Sequence, residues 1–395
     1  MQLKILCDMN FFGIIINTLT LALLIILIVS SVLLFLYYGL FYLRIGIHKG
    51  KKDNKKNTEL HGVSVVLTVK NESEQLKENL VYLLEQDYPD FEVIVIDHVS
   101  KDYTRYILKT YQESYPNLKV VNFLQDVNMF QGKKFPLSIG IKSAKNDIIL
   151  LTECSCVPKT FTWIREMVEN FSPNTHFVMG YSGFKSEKTL LNAFVQYDNL
   201  AYTASSFGFA LLKHPYTACG KNLSYHRSFF FDKGGFIKHY HIPTGDDDIF
   251  VNENATGKNM NICLSKDSYV VSQSKKTFKE WCHQKAKRMS TQKYYSFIDK
   301  MLLSIYPISI VLFYLSAIAT LVLNNNPESA ILCEIILGLI VLKLGWQILS
   351  FYQLGRRFEC TKVSYFAPLF EIYFLFMNTI MYISALRNKI KGWKQ

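Results

Sequence analysis

The sequence predicts an α/β domain with a mainly parallel sheet, placed between transmembrane helices at both ends of a 395-residue chain. Two observations predict this fold class. Short runs rich in Val, Ile and Leu alternate with segments of helical periodicity between residues 63 and 152, which is typical of strand-helix-strand units. Long apolar stretches occupy the two ends of the chain, whereas the middle has the mixed composition of a soluble domain.

The first apolar stretch follows a short N-terminal segment, residues 1–10. Residues 11–43 contain no charged residue and exceed the ~20 residues that a transmembrane helix needs. A cleaved signal peptide would have a shorter apolar region and a small-residue cleavage site, whereas Leu43 leads directly into Arg44. We therefore predict a transmembrane helix.

A basic linker, residues 44–60, comes next. Its stretch LRIGIHKGKKDNKKN carries six Lys and Arg residues against Asp53 alone, and the positive-inside rule places such a loop in the cytoplasm. The linker can be merely flexible or can also bind acidic headgroups. Membrane orientation explains the net charge of +12 better than nucleic-acid binding, because no basic and aromatic nucleic-acid motif is present.

The soluble domain is predicted over residues 61–297, and its first half, 61–160, consists of alternating strands and helices. The predicted strands are residues 63–69, 91–97, 118–123 and 147–152. The first predicted helix is capped by Ser73, and the next two helices cover residues 103–114 and 135–143. Right-handed crossovers place the carboxyl ends of parallel strands at one edge of a sheet, where ligands usually bind. The polar residues at those ends are Asn71, Glu72, Asp97, Glu153 and Ser155.

The second half, residues 161–297, becomes irregular and aromatic-rich after Tyr181 and does not continue the strand pattern. Two further transmembrane helices are predicted at 298–323 and 329–351, joined by the polar turn NNNPE. One span before the soluble domain and a hairpin after it keep both flanking basic loops in the cytoplasm.

The last apolar segment, residues 365–386, contains Pro368 and Glu371 and ends in a basic tail. A full crossing would place that tail outside, against the positive-inside rule. The segment either crosses, which we favour, or is re-entrant or interfacial.

Eight cysteines are scattered without CxxC spacing or a matching set of histidines, so we expect reduced thiols. Cys154 and Cys156 form a CxC at a predicted strand end, and two thiols alone do not make a zinc site.

The segment TGDDDIFVN, residues 244–252, is the strongest local signal of chemistry. Three adjacent carboxylates repel one another, which raises the proton affinity of at least one and suits a general base. The alternative is a capped helix start, because Thr244 and Asp247 have capping-box spacing and acidic residues favour a first helical turn. Both interpretations stay open.

Taken in order, seven motifs of residues 60–300 resemble those of the inverting family 2 glycosyltransferases, particularly their bacterial membrane-anchored members. The motifs are VSVVLTVKNE with QDYP, EVIVIDHVSKD, GKK at 132–134, LLTECSCVP, GKNLSYHRSFFFDKGGF, GDDD and WCHQKAKR. The resemblance implies a GT-A-like nucleotide-sugar fold with a nucleotide-binding half, 61–160, and an acceptor half, 161–297. It implies that Asp247 is the catalytic base that activates an acceptor hydroxyl. The substrate-binding residues that it implies are Asn71, Glu72, Asp97, Lys133, Lys134, Glu153, Ser155, Asp246, Gln284 and Arg288.

The sequence departs from the family at the metal-binding DxD motif, which is replaced by Glu153, Cys154 and Ser155. Glu153 can ligate Mg²⁺ or Mn²⁺, but a neutral serine is a poorer ligand for a hard cation. Either the divalent cation is used weakly, or Lys133, Lys134 and other cations neutralise the leaving diphosphate instead.

Two further departures concern the substrates. His98 follows Asp97 where the family has a second acidic residue, and it can contact the base or be a solvated loop residue. Gln284 is followed by Lys287 and Arg288 rather than by Arg and Trp of a QxxRW motif. The missing tryptophan argues against long processive synthesis, and the cations can bind phosphate or simply flank the next span.

These observations predict a multi-pass protein of the cytoplasmic (inner) membrane whose catalytic domain faces the cytoplasm. As the resemblance implies, a sugar moves from a nucleoside diphosphate sugar, preferably UDP-linked, to a lipid-linked or polysaccharide acceptor. The alternative is a catalytically impaired nucleotide-sugar-binding or scaffold subunit of a polysaccharide-assembly complex. A transporter is disfavoured because the spans hold few polar residues beyond Glu334, Lys343 and Glu371.

Overall fold

The structure is a computed structural model that describes residues 9–11, 14–16, 18–48, 61–123, 132–324 and 330–387. The chain divides into two compact units. We call Met1–Ile47 with Phe297–Leu375 the helical unit, and His48–Ser296 with Phe376–Gln395 the α/β unit. Most of the basic linker, the NNNPE turn and the basic tail lie outside the described residues.

The secondary-structure elements are numbered along the chain. The strands are β1 (Met9–Phe11), β2 (Ile14–Ile16), β3 (Val63–Val69), β4 (Phe91–His98), β5 (Leu118–Phe123), β6 (Ile148–Leu151), β7 (Cys156–Pro158), β8 (Phe177–Gly180), β9 (Ser182–Phe184), β10 (Leu223–His226), β11 (Met260–Cys263) and β12 (Val270–Ser272). The helices are α1 (Thr18–Tyr37), α2 (Arg44–Ile47), α3 (Ser73–Leu84), α4 (Thr104–Ser114), α5 (Lys134–Ser143), α6 (Trp163–Val168), α7 (Leu190–Leu211), α8 (Arg227–Asp232), α9 (Asp248–Asn254), α10 (Phe278–Thr291), α11 (Phe297–Leu323), α12 (Ala330–Arg357), α13 (Thr361–Ser364) and α14 (Ala367–Arg387). A π-helical stretch, Tyr38–Leu43, joins α1 to α2, and the 3₁₀ turns are Ile237–His239, Lys266–Ser268 and Gln292–Tyr294.

The main sheet of the α/β unit has seven strands in the order β11-β8-β10-β6-β3-β4-β5. β3 pairs in parallel with β4 and β6, and β4 pairs in parallel with β5, whereas β10 runs antiparallel between β6 and β8. β11 is parallel to β8, and a smaller sheet has the order β7-β12-β9. The predicted α/β fold with a mainly parallel sheet is therefore confirmed.

The central strands are apolar along their whole length because both faces of the sheet are covered. Val63, Val65 and Leu67 of β3 are fully or almost fully buried and join one hydrophobic core with Leu76 and Leu80 of α3. The predicted cap is wrong by one residue. Helix α3 begins at Ser73 itself, with Glu72 as its N-cap, and the Ser73 amide donates to the carboxylate of Asp102 at 3.1 Å.

The sheet brings three chain segments to one edge. Val69, the last residue of β3, is the register partner of Asp97 in β4, and Val66 is the register partner of Leu151 at the end of β6. The residues that follow these three strands therefore emerge side by side, as the sequence predicts for the carboxyl ends of parallel strands.

Four helices within the described residues are long and apolar enough to cross a membrane: Thr18–Ile47, Phe297–Leu323, Ala330–Arg357 and Ala367–Ala385. The predicted apolar helices at both ends of the chain are thus present. The first begins seven residues later than the predicted span, 11–43. Of the hairpin helices predicted at 298–323 and 329–351, one begins a residue earlier, at Phe297, and the other begins a residue later, at Ala330, and ends six residues later, at Arg357. The crossing of residues 365–386 remains a prediction, and the second half of this segment packs Met381 against Met289 of α10.

The helical unit contains a buried polar cluster where the sequence shows isolated charges. The ammonium group of Lys343 contacts the carboxylate of Glu371 and donates to Gln347 Oε1 at 2.9 Å and to the hydroxyl of Tyr314 at 3.1 Å. The hydroxyl of Tyr306 donates to Glu371 at 2.8 Å, and both charged side chains are buried. Such residues within apolar helices usually pair with one another, and here they do.

Candidate active site

A cleft of about 210 Å³ in the α/β unit gathers most of the charged residues that the sequence singles out. It lies between α7, α10, the segment before β10 and the start of α9. The residues that line it are Lys133, Glu153, Ser182, Phe184, Val195, Asp198, Asn199, Tyr202, Ala218, Cys219, Lys221, Thr244, Gly245, Asp246, Asp247, Asp248, Trp281, Gln284, Lys285, Lys287, Arg288 and Thr291. A single water needs only about 10–15 Å³, so polar ligand groups have room beside these side chains.

Asp247 lies at the N-terminus of α9, where two backbone amides donate to its carboxylate. Its Oδ2 accepts from the Gly220 amide at 2.6 Å, and its Oδ1 accepts from the Asp248 amide at 2.9 Å. Gly245 permits the preceding turn because its φ of +87° lies in the left-handed region that glycine adopts without strain. Asp247 is indeed the N-cap of α9, but the capping pair expected from Thr244 does not form, since the Thr244 hydroxyl contacts Ser290 at 3.4 Å.

The surroundings of Asp247 favour its protonated form more than water does. Burial raises the pKa of Asp247 to about 7, and the charges of Asp246 and Asp248 add to the rise. Near neutral pH this carboxyl therefore exchanges a proton readily, which is the property that a general base requires. The cap role and an open, proton-exchanging carboxylate are compatible in this geometry.

Asp248 is turned away from solvent and fixes the start of α9. Its carboxylate accepts from the hydroxyl of Thr291 and, at 2.8 Å, from the hydroxyl of Tyr295. Burial raises the pKa of Asp248 despite these hydrogen bonds. Asp248 thus ties the acidic segment to the end of α10 and keeps Asp247 at its place in the cleft.

Lys133 connects the two predicted halves of the site. Its ammonium group lies 3.2 Å from Glu153 Oε1 and 3.1 Å from Asp246 Oδ2. Burial alone would lower the pKa of Lys133, yet the charges of Asp246 and Glu153 raise it well above its usual value. Gly132 precedes it with a φ of +108°, in a turn that only glycine enters easily. The GKK motif therefore brings a fixed positive charge to the cleft through Lys133.

Lys221 is a second cation at Glu153 that sequence reasoning did not single out. Its ammonium group lies 3.9 Å from Glu153 Oε2 and donates to Ser272 Oγ at 3.2 Å. Burial raises the pKa of Glu153, but the charges of Lys133 and Lys221 outweigh it and lower this pKa to about 2. Lys221 belongs to the quoted motif GKNLSYHRS, and a lysine directly before a buried strand was the available signal.

Asp198 was also missed, and it organises the opposite wall of the cleft. This carboxylate contacts the ammonium group of Lys285 and accepts from Arg288 Nη2 at 2.7 Å. The Arg288 guanidinium also lies 4.5 Å from the ring centre of Tyr202. Burial lowers the pKa of Lys285 to about 8, against the opposing charge of Asp198. A lone carboxylate in the otherwise uncharged helix α7 was the signal in the sequence.

Aromatic side chains line this wall even though the motif lacks its usual tryptophan. Trp281, one helical turn before Gln284, borders the cleft together with Tyr202 and Phe184. Its ring packs on Phe194 with centroids 6.5 Å apart. Trp281 is itself almost fully buried, and the absence of long processive synthesis stays a prediction.

Five predicted substrate-binding residues are not among those that line the cleft. Asn71 lies at the end of β3, where its side chain accepts from the Lys101 amide at 2.7 Å. Glu72 follows it as the N-cap of α3. Ser155 lies in the half-buried turn between β6 and β7. Lys134 is buried and donates to the His239 carbonyl at 2.9 Å, and burial lowers its pKa to about 8.

Asp97, the fifth of these residues, is completely buried at the end of β4. It accepts from the Ser100 amide at 3.0 Å and from Arg105 Nε at 3.1 Å. His98 is the last residue of β4 and is buried beside the ring of Phe123, so the expectation of a solvated loop residue is wrong. Of the carboxylates Asp97, Glu153 and Asp247, only the last two line the cleft.

The donor set around Glu153 does not fit a divalent cation. Among the described residues, no group of three or more His, Cys, Asp or Glu side chains is arranged to hold a metal ion. Both oxygens of Glu153 face ammonium groups, and Ser155 is the only other side chain of the replaced motif with an oxygen. Hard cations prefer several oxygen ligands and are repelled by neighbouring positive charges.

Comparisons with known proteins address the same region. Residues 64–231 match the sequence profile described as Glycosyl transferase family 2. Lys133, Glu153 and Lys221 fall inside this segment, whereas Asp247 and helix α10 lie beyond it. A Glycosyltransferase AglE from Haloferax volcanii is 30% identical over 112 residues, which are 28% of this chain and 35% of that protein.

A poly-beta-1,6-N-acetyl-D-glucosamine synthase from Staphylococcus epidermidis is 26% identical over 139 residues, which are 34% of this chain and 32% of that protein. The chain therefore spans about a third of the length of these relatives. The fold is similar to that of the mannosyltransferase PcManGT from Pyrobaculum calidifontis, solved in complex with GDP-Man and Mn²⁺. That similarity has a TM-score of 0.55 at 18% identity and covers 87% of this chain and 98% of the other.

Proposed function

We propose, from the premise that residues 64–231 form a GT-A-like domain of glycosyltransferase family 2, that this protein is a membrane-bound inverting glycosyltransferase. It moves a sugar from a nucleoside diphosphate sugar, with UDP as the favoured nucleotide, to a hydroxyl of a lipid-linked or polysaccharide acceptor. The observation that carries this proposal is Asp247, which combines a pKa of about 7 with an open position in the charged cleft.

The acid-base chemistry falls to Asp247. The Gly220 and Asp248 amides hold both carboxylate oxygens, so the carboxylate keeps one orientation while it gains or loses a proton. An acceptor hydroxyl within hydrogen-bond distance of Asp247 gives up its proton as its oxygen attacks the anomeric carbon. Attack opposite the leaving diphosphate inverts the configuration of the sugar.

The donor diphosphate belongs near Lys133 and Glu153, because Lys133 is the cation that links the end of β6 to the acidic segment. Fixed positive charge stabilises the charge that develops on the leaving group. Asn71, Glu72 and Asp97, at the ends of β3 and β4, would position the nucleotide, with Lys134 and Ser155 supporting the adjacent turns.

The acceptor belongs on the wall built by α7 and α10. Gln284 and Arg288 border this wall, and the Arg288 guanidinium lies over the ring of Tyr202. A lipid-linked acceptor or a growing surface polysaccharide suits a chain whose described residues include four helices able to cross a membrane. By the positive-inside rule, the basic stretches of the sequence support a catalytic domain on the cytoplasmic side of an inner membrane.

The test is nucleotide release from a panel of nucleotide sugars by the detergent-purified full chain, with and without Mn²⁺. We expect release from at least one donor, and a loss of about 100-fold or more in Asp247→Asn. Asp232→Asn, an exposed carboxylate outside the cleft, is the matched control and should behave as the native protein. Donor binding that is equal in all three proteins, without turnover under any acceptor condition, would favour the scaffold instead.

A further inference from the structure

We propose that Lys133 and Lys221 together replace the divalent cation at the donor diphosphate, so that this protein transfers its sugar without a bound metal ion. The inference rests on the proposed glycosyl transfer and specifies how its leaving group is stabilised. It assigns a catalytic role to Lys221, whose ammonium group would touch the diphosphate.

Lys221 is held in place as a fixed positive charge. Its ammonium group donates to Ser272 Oγ at 3.2 Å and lies 4.8 Å from the ring centre of Phe184. The side chain is only 12% exposed, and its charged end reaches the cleft lining beside Glu153. A lysine on the surface would sample many rotamers. The contacts with Phe184 of β9 and Ser272 of β12 instead restrict the Lys221 side chain to one orientation.

Lys133 approaches the same carboxylate from the other side. It lies 3.2 Å from Glu153 Oε1, while Lys221 lies 3.9 Å from Oε2, so the two ammonium groups flank one carboxylate. In this arrangement the Glu153 carboxylate offsets the repulsion between the two ammonium groups. The place where a metal ion would need several oxygen ligands is instead bordered by two cations.

The charge balance of the cleft also suits an anion. Its lining holds five Lys and Arg side chains against five carboxylates. At Glu153, however, two cations face a single carboxylate, because the ammonium groups of Lys133 and Lys221 lie on either side of it. A diphosphate that reaches this end of the cleft meets two ammonium groups, each of which can donate more hydrogen bonds than it already makes.

The step balances without a metal ion. The bond between the anomeric carbon and the β-phosphate oxygen breaks, and its electron pair stays on that oxygen. A bond forms between the acceptor oxygen and the anomeric carbon, and the acceptor proton moves to Asp247. The β-phosphate gains one negative charge, which the positive charges of Lys133 and Lys221 beside Glu153 stabilise.

Kinetics of the full chain give the first test. We expect turnover in excess EDTA to lie within about twofold of turnover in Mn²⁺ or Mg²⁺. Lys221→Met should lower kcat/KM by about 100-fold in either condition, as the loss of one preorganised group at a developing charge does. Lys221→Arg should recover a large part, and Lys279→Met, an exposed lysine of α10 outside the cleft lining, should have no effect.

Calorimetric binding of UDP and UMP, and of GDP and GMP, in EDTA gives a readout that needs no turnover. Lys221→Met should reduce the preference for the diphosphate about tenfold while leaving the affinity for the monophosphate unchanged. Glu153→Gln should bind the diphosphate as well as the native protein or better, because it removes a competing anion. Melting temperatures of all variants exclude misfolding as the cause.

The outcomes separate this inference from the proposed function. Turnover that stops in EDTA, returns with Mn²⁺ and disappears in Glu153→Gln would overturn the role of the lysines and leave the glycosyl transfer intact. Absence of turnover with every donor, together with a diphosphate preference that Lys221→Met does not change, would overturn both. Metal-independent turnover with a lost preference in Lys221→Met supports both.

Discussion

The substitution Asp247→Asn separates the catalytic from the structural role of one carboxylate. Asparagine has nearly the same shape, yet it cannot take up the acceptor proton, and general-base catalysis contributes about 10²–10⁴-fold to a rate. In the native protein kcat/KM should rise with pH up to about 7 and then level off, because the ionised form of Asp247 is the active one. The residual rate of the variant should lack this rise.

The same substitution has a pH-dependent effect on stability. The folded-state pKa of Asp247 is about 7 and its ordinary value is 3.8, so the folded protein holds this proton more tightly than the unfolded chain. Its contribution to stability is therefore largest below pH 4 and is lost as the pH rises to about 7. A rise of about three pKa units, at about 1.4 kcal/mol each, limits this loss to about 4 kcal/mol.

Asparagine avoids this loss but breaks a hydrogen bond. Because asparagine has a single acceptor oxygen, one of the Gly220 and Asp248 amides loses its hydrogen-bond partner. This loss lowers the free energy of unfolding by about 1–3 kcal/mol. We therefore expect Asp247→Asn to be less stable than the native protein at pH 4, about equal between pH 5 and 6, and about 1–3 kcal/mol more stable at pH 8.

Melting curves in detergent, followed by tryptophan fluorescence from pH 4 to 8, measure this difference, with Asp232→Asn as the control. The variant should gain melting temperature relative to the native protein as the pH rises, while the control should show no trend. A difference that does not change with pH would show that Asp247 is not the perturbed carboxyl. Full turnover in the variant would refute its role as the base.

Three further substitutions test the surroundings. Gly220→Ala places a β-carbon 3.1 Å from Asp247 Oδ2, so kcat should fall about tenfold with little change in donor affinity or melting temperature. An unchanged kcat would contradict the tight positioning of the base. Asp198→Ala leaves two cations of α10 without their shared partner and should cost about 3–5 kcal/mol of stability, measured by urea or thermal unfolding. Lys343→Met should destabilise the protein by a similar amount because Glu371 stays buried without its cation. Adding Glu371→Met should restore most of the lost stability, whereas additive losses would argue against the buried ion pair.

Much of the fold could be predicted because its signals are local. The apolar run at Val63–Val69 and the one that begins at Phe91 fit a sheet buried on both faces, and the observed strands agree with the predicted ones within a residue or two. The cap of α3 was misplaced by one residue because Asp102, distant in sequence, receives the Ser73 amide. Long-range partners of this kind leave no local pattern.

The site could be predicted only in part for the same reason. Lys133, Glu153 and Asp247 were found through motif spacing, and their positions in one cleft agree with the expectation, although their roles remain predictions. Lys221 and Asp198 were missed because their importance comes from partners 51 to 90 residues away along the chain. Asp97, in contrast, was found by motif, but its contacts with Arg105 and the Ser100 amide depend on how the following loop folds back.

The anomeric configuration of the product directly tests the single-displacement mechanism with Asp247 as the base. A single displacement, with one carboxylate acting as base and no covalent intermediate, must give the configuration opposite to that of the donor. ¹H NMR of the product formed by the native protein reads this from the coupling constant of the anomeric proton. We expect inversion, such as a β-linked product from an α-linked donor, and retention would contradict the role of Asp247 as the base of a single displacement.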